Sequence, residues 1–233
     1  MRHFLFLTTT FFLLILSACK TEKKNEATVA EPETVKELSI LEKVAQAHGY
    51  DQWKTVQKLE FTFNVDRGTE ETTHYERSWA WETKANIVSQ DTIRYHRNEL
   101  TPDSPEYRVN GGFVNDKYWL LAPFNLIWDK DNFTYEHSTE ATAPISAESM
   151  QKLTIVYSNE GGYTPGDAYD FYFGDDYLVK EWVFRKANQE EANLATTWEA
   201  YEDFGGIPMA TMHKNAEGTF KLYFTNIKTE TKS

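Results

Sequence analysis

From Leu59 onward the chain alternates. Leu59, Phe61, Phe63 and Val65 are apolar, and Lys58, Glu60, Thr62 and Asn64 between them are polar. Successive side chains on a β-strand point to opposite faces, so a period of two specifies a strand with one dry and one wet face. A helix would instead repeat its apolar residues every three or four positions. The alternation resumes with Tyr75, Arg77, Trp79 and Trp81 set against His74, Glu76, Ser78 and Ala80, and Asp66-Arg67-Gly68 between the two runs suits a hairpin. Aromatic residues make up 15% of the chain and fall on such alternating positions, which favours β structure over a helical bundle. Further strands are expected at 86–96, 112–121, 152–157, 168–173, 177–184, 195–201, 208–214 and 220–225. Turn signals separate them at Gly161-Gly162, Gly174-Asp175-Asp176, Gly205-Gly206 and Asn215-Ala216-Glu217-Gly218. Regular strands with short turns predict a mainly β fold with minor α, a meandering antiparallel sheet or partial barrel.

Two helical segments precede the strands. Ser39 and Glu42 match the capping box S-x-x-E, Leu41, Val44 and Ala45 then share a face, and Gly49 is a natural stop. A second turn is expected over 51–56, carrying Trp53. One later stretch does not fit the meander: Ala122-Pro123-Phe124-Asn125-Leu126-Ile127-Trp128 is apolar but interrupted by proline. It reads equally as a short helix or loop across the sheet opening and as a plug of core.

The amino terminus carries a different signal. Met1-Arg2-His3 is weakly basic, and residues 4–16 are apolar apart from Thr8, Thr9 and Thr10, which is the pattern of a secretory leader. The run is too short to cross a hydrocarbon core, which takes about 20 residues. Leu16-Ser17-Ala18-Cys19 looks like a lipobox, and Cys19 is the single cysteine of the chain. The expectation is a lipoprotein signal peptide at 1–18 and a lipidated cysteine followed by a disordered tether at 19–37. A single β-rich domain at 38–233 completes the chain. Two or more acyl chains on Cys19 would make the membrane anchor stable. A tether rich in Lys, Glu, Thr and Ala would hold the domain roughly 20–25 Å from it. With Cys19 so used, no disulfide is available, and the domain must rely on its core.

The remaining chemistry mostly excludes. The chain carries 24 Lys plus Arg against 36 Asp plus Glu, a net charge of −12, which argues against nucleic acid and against electrostatic adhesion to anionic lipid. His48, His74, His96, His137 and His213 contain no pair at i, i+4 spacing, so no metal is expected. Asp129-Lys130-Asp131-Asn132 begins like a calcium loop, but Phe133 takes a ligand position and the required glycine is missing. There is no Gly-x-Ser-x-Gly elbow and no glycine-rich phosphate loop, so neither a cofactor nor catalysis is expected. The aromatics remain. Phe61, Phe63, Trp79, Trp81, Phe220, Leu222 and Phe224 would face one concave surface of a curved sheet. That surface could be a ligand cavity or simply core. One short helix gives little cover for so many strands, which leans the reading towards a cavity.

The segment Ala47-His48-Gly49-Tyr50-Asp51-Gln52-Trp53, followed by the strand Leu59-Glu60-Phe61-Thr62-Phe63, completes an order of parts that begins with the lipobox and tether. Tyr201-Glu202-Asp203-Phe204-Gly205-Gly206-Ile207-Pro208 and Met212-His213-Lys214-Asn215 lie near the end. Together these resemble the outer-membrane lipoprotein-sorting and carrier proteins of the LolA/LolB/LppX-like fold, in particular lipoproteins of Bacteroidota-type bacteria. The resemblance runs over most of residues 38–228. It implies an unclosed antiparallel β-barrel, with helices across its mouth, around an apolar cavity that takes acyl chains. The expected function is thus a non-catalytic, membrane-anchored lipoprotein of the cell envelope. It would sit at the outer membrane facing the periplasm, bind a lipid or acyl chain, and meet a lipoprotein partner. The alternative expectation is an envelope interaction module gripping glycan or protein through exposed aromatics, with Trp119, Trp128, Trp182 and Trp198 as candidates.

Overall fold

Residues 37–160 and 164–232 are described by the computed structural model. The leader, Cys19, the tether up to Lys36 and the Gly161-Gly162 turn lie outside them. The first helix, α1 (Ile40–Ala47), begins as the capping box demands: the Ser39 hydroxyl accepts from the Glu42 N–H at 3.3 Å, and the Ser39 N–H donates to Glu42 Oε2 at 2.7 Å. It ends at Gly49, whose φ of +80° only glycine adopts without strain. A short second helix, α2 (Tyr50–Trp53), follows. A side chain at Gly49 would collide with the backbone of Gly206, so two segments on which the resemblance rests meet in space. His48 adds to this contact. Its Nδ1–H donates to the Val44 carbonyl at 2.8 Å, leaving Nε2 to accept from the Val179 N–H, while the Tyr201 hydroxyl donates to the Val179 carbonyl at 2.7 Å.

Strands β1 (Val56–Arg67) and β2 (Thr73–Glu82) form the expected hairpin, with Phe61 opposite Trp79 and Leu59 opposite Trp81. The 86–96 segment is two strands, β3 (Ile87–Gln90) and β4 (Ile93–His96), because the chain turns at Asp91, whose φ is +50°. The largest correction follows. Residues 112–121 are not a strand; they lie in α3, a helix of 22 residues from Tyr107 to Trp128. The helix absorbs the apolar 122–128 stretch as well and kinks at Leu121 (φ −126°, ψ 23°), just before Pro123. Proline has no N–H to donate and its ring crowds the preceding turn, which accounts for the break.

After α3 the chain forms β5 (Phe133–Thr142), which the alternation did not single out, then β6 (Ser149–Tyr157), β7 (Ala168–Phe173) and β8 (Val179–Arg185). The 195–201 segment is again two strands, β9 (Leu194–Thr197) and β10 (Glu199–Asp203), followed by β11 (Pro208–Lys214) and β12 (Phe220–Thr231). These twelve strands make two antiparallel sheets, neither closed. One is five-stranded in the order β5-β6-β7-β8-β9, the other seven-stranded in the order β10-β11-β12-β1-β2-β3-β4. Only Trp198 separates β9 from β10, and its N–H donates to the Lys180 carbonyl at 2.7 Å. The chain thus crosses from one sheet to the next within a residue, and the two form one curved wall. The wall's open edges are β4 and β5, and α3 is the connection between them.

The fold is therefore mainly β, an unclosed antiparallel barrel, with α3 inside its curve. Phe113 of α3 packs on Trp79 and Trp81 with ring centroids 5.5 and 5.6 Å apart, and Trp119 packs on Trp182 at 4.6 Å and on Phe220 at 6.2 Å. Each such buried aromatic contributes roughly 1.5–3 kcal/mol. Polar contacts fix the helix's position. Asp116, fully buried, receives Arg77 Nε at 2.8 Å and Nη2 at 2.7 Å, Trp79 Nε1 at 2.8 Å and Asn115 Nδ2 at 3.0 Å. No helix among the described residues is long and apolar enough to cross a membrane.

Candidate functional site

The seven residues expected on a common concave surface do share one. Phe61, Phe63, Trp79, Trp81, Phe220, Leu222 and Phe224 are all buried in the main core. Phe61 and Phe63 both pack edge-on against Phe224, at 5.8 and 5.9 Å, and Trp53 of α2 lies 5.5 Å from Trp81. The first half of α3 covers this face through Phe113. The face is thus occupied by the protein's own helix.

The open space lies on the other side of α3. A cleft of about 580 Å³ runs between α3 and the inner surface of β6 to β9. Its wall is aromatic: Tyr118 and Trp119 come from the helix, Tyr157, Tyr169, Trp182 and Phe184 from the sheet, with Leu194 of β9 beside them. Tyr169 stacks on both Trp182 and Phe184, at 5.4 and 5.5 Å, because Trp182 and Phe184 are two apart on β8 and so face the same way. Asn132, Ser158 and Glu160 form an exposed rim. A volume of this size falls within the roughly 300–1,000 Å³ of small-molecule sites, which are mostly apolar with a few fixed polar groups.

Those polar groups are specific. Lys117, 7% exposed, places its Nζ 3.2 Å from Asn125 Oδ1 and 4.7 Å from the Trp128 ring. Burial, aided by the nearby Arg97 charge, lowers its pKa to about 8. Asn125 Nδ2 and the Tyr157 hydroxyl both donate to Asp129 Oδ2, at 2.8 and 2.9 Å. Burial pushes the Tyr118 and Tyr157 phenols well above their ordinary range and Tyr169 up to about 12, so all three stay protonated and act as donors, not bases. The Tyr118 hydroxyl and Trp182 Nε1 have no hydrogen bond of good geometry among the described residues. Among those residues no group of His, Asp and Glu is placed to hold a metal ion.

The tryptophans of the alternative reading are not exposed. Trp119, Trp182 and Trp198 are buried, and Trp128 is half-buried against Tyr50, Trp53 and Phe124. Period-two reasoning could have found Trp182 and Phe184 as a pair. It could not find Tyr118 and Lys117, because their segment was read as part of a strand.

No family model matches the sequence, and no curated protein matches it. Solved structures do match in shape. A LolA superfamily protein from Nitrosomonas europaea superposes with a TM-score of 0.52 at 11% identity, covering 83% of this chain and 93% of that one. A DUF1329 family protein from Desulfovibrio piger gives 0.47 at 12% identity, covering 83% and 94%. A Vibrio parahaemolyticus domain described as outer membrane lipoprotein-sorting gives 0.43 at 8%, covering 83% and 93%. The first of these likenesses agrees with the unclosed barrel seen here: the fold is LolA-like.

Proposed function

We propose that this LolA-like barrel is a lipid-anchored protein of the cell envelope that binds an acyl chain, without catalysis, in the cleft between α3 and β6 to β9. The observation that carries the reading is the cleft itself: an aromatic-walled space of about 580 Å³ in an unclosed barrel, on the side of α3 that the protein's own side chains leave unfilled. In this reading Cys19 carries the lipid anchor, residues 19–37 are the tether, and the domain faces the periplasm from the outer membrane. A partner lipoprotein would be the source or destination of the ligand. Phe61, Phe63, Trp79, Trp81, Phe220, Leu222 and Phe224 form the sealed floor beneath α3 and would meet the ligand only if α3 shifted.

Residues from Glu37 onward form a compact unit that contains every packed element described above, so the chain can be tested from that point. Purified without detergent and examined by native mass spectrometry, it is expected to carry, or to take up from added dodecanoate, one extra mass that extracts as a fatty acid. Trp182→Asp, which puts a charge on the cleft wall, is expected to abolish uptake, and so is Leu194→Trp, which fills the space. A bare protein that takes up nothing contradicts the reading.

A further inference from the structure

Resting on the acyl-binding reading above, we propose that the cleft's ligand is an amphiphile with a single acidic head, a long-chain carboxylate, held at the ammonium group of Lys117.

An ammonium group carries three donors. Lys117 Nζ uses one on Asn125 Oδ1 and faces the ring of Trp128. No carboxylate among the described residues pairs with it. Asp129 accepts from Asn125 and Tyr157 and is linked to Lys117 through Asn125, and its charge acts on Lys117 less strongly than burial and Arg97 do. A buried cation without an anion is costly, and such groups are ordinarily paired. The cost falls when a ligand supplies the anion.

Tyr118 and Trp182 line the same space, and their hydroxyl and indole N–H are buried polar atoms that a ligand would reach only after a side-chain rotation. Trp182 is 3% exposed. A carboxylate carries one negative charge and accepts several hydrogen bonds, which suits a cleft whose lining includes the Lys117 ammonium with Arg97 nearby. A methyl ester or an alcohol brings no such charge. The acids that border the cleft do not compete. Asp167 Oδ1 accepts the Ala187 N–H at 2.8 Å, and Glu160 is exposed on the rim, where water and salt screen it. The cleft therefore sets Lys117 and Arg97 beside aromatic walls, with Glu160 exposed on its rim.

The test is isothermal titration calorimetry of the chain from Glu37 with dodecanoate and with dodecanol at neutral pH. A charge-assisted contact predicts that dodecanoate binds about 10- to 100-fold more tightly than dodecanol. Lys117→Met and Lys117→Gln should each erase that preference, with dodecanoate losing at least about tenfold more affinity than dodecanol. Equal affinities in the unaltered chain overturn the head-group proposal and leave the acyl-binding reading standing, and this comparison needs no variant. A preference that persists in a folded Lys117→Met protein overturns the assignment to Lys117. If neither ligand binds, the acyl-binding reading falls and the head-group proposal falls with it.

Discussion

Asp116 gathers four donors from three residues, and two of those residues, Arg77 and Trp79, belong to β2 rather than to its own helix. Burial pushes its carboxyl up and the donors pull it down, with burial the larger effect. Removing one partner of such a pair leaves the other without compensation, which costs about 3 kcal/mol or more. Asp116→Ala is expected to lose about that much in a urea titration; a loss below about 1 kcal/mol would show that Asp116 does not hold α3 in place. Two histidines set the acid limit of the fold. Burial holds His48 at about 4 and His213 at about 3, so both are neutral in the folded chain, whereas both take a proton near 6.5 when unfolded. The unfolded state then binds more protons between pH 6.5 and 4. Stability is full above 6.5 and is lost as pH falls through that window, by about 1.4 kcal/mol per pH unit for each histidine. His213 sits between Trp119 and Trp198, with ring contacts of 5.4 and 4.6 Å and no hydrogen bond of good geometry. His213→Leu should therefore flatten the slope of stability against pH between 6.5 and 4, by up to about 1.4 kcal/mol per pH unit, measured by denaturant unfolding at several pH values. An unchanged slope would contradict this account.

The elements differ in how legible they were. The capping box at Ser39, the β1–β2 hairpin and the strands 168–173 and 208–214 were readable because one local rule decided each. The 112–121 segment misled for a physical reason. A helix buried on nearly every side loses the apolar stripe that marks a surface helix, and Gly111, Gly112 and Pro123 argue locally against helix altogether. Tertiary packing explains Gly112: a Cβ there would lie 2.7 Å from Arg77 Nη1, and Arg77 is pinned by Asp116. Alanine would gain roughly 1 kcal/mol in helix propensity. Gly112→Ala is nonetheless expected to lower the melting temperature, and the same change in an Arg77→Ala background to raise it relative to that background, a coupling that a double-mutant cycle reads directly. The missed strand β5 has a different cause. Residues such as Glu136, His137, Ser138 and Glu140 make it a polar, largely exposed edge, and a strand that guards an edge with charge shows little alternation.

At the scale of the whole molecule, the sequence announced an aromatic concave face but could not say which part of it α3 would occupy. The seven residues from β1, β2 and β12 came together as expected. The open space lies instead where α3 stands off from Tyr157, Tyr169, Trp182 and Phe184, and that depends on the register of separate strands against a kinked helix. Anchoring belongs to this scale too. If Cys19 carries the lipid, Cys19→Ala should abolish palmitate labelling and move the chain from the membrane to the soluble fraction. Labelling that survives the substitution would refute the anchor.

The central claim is that the cleft between α3 and β6 to β9 is the acyl site. It is tested most directly by photocrosslinking a diazirine-bearing fatty acid to the chain from Glu37 and mapping the adducts by peptide mass spectrometry. Adducts concentrated on Tyr118, Tyr157, Tyr169, Trp182 and Phe184 are the predicted result. Adducts on Phe61, Phe63, Trp79 and Trp81 would contradict it and show that α3 leaves its seat to admit the ligand, while labelling scattered over the outer surface would show that there is no acyl site in the barrel.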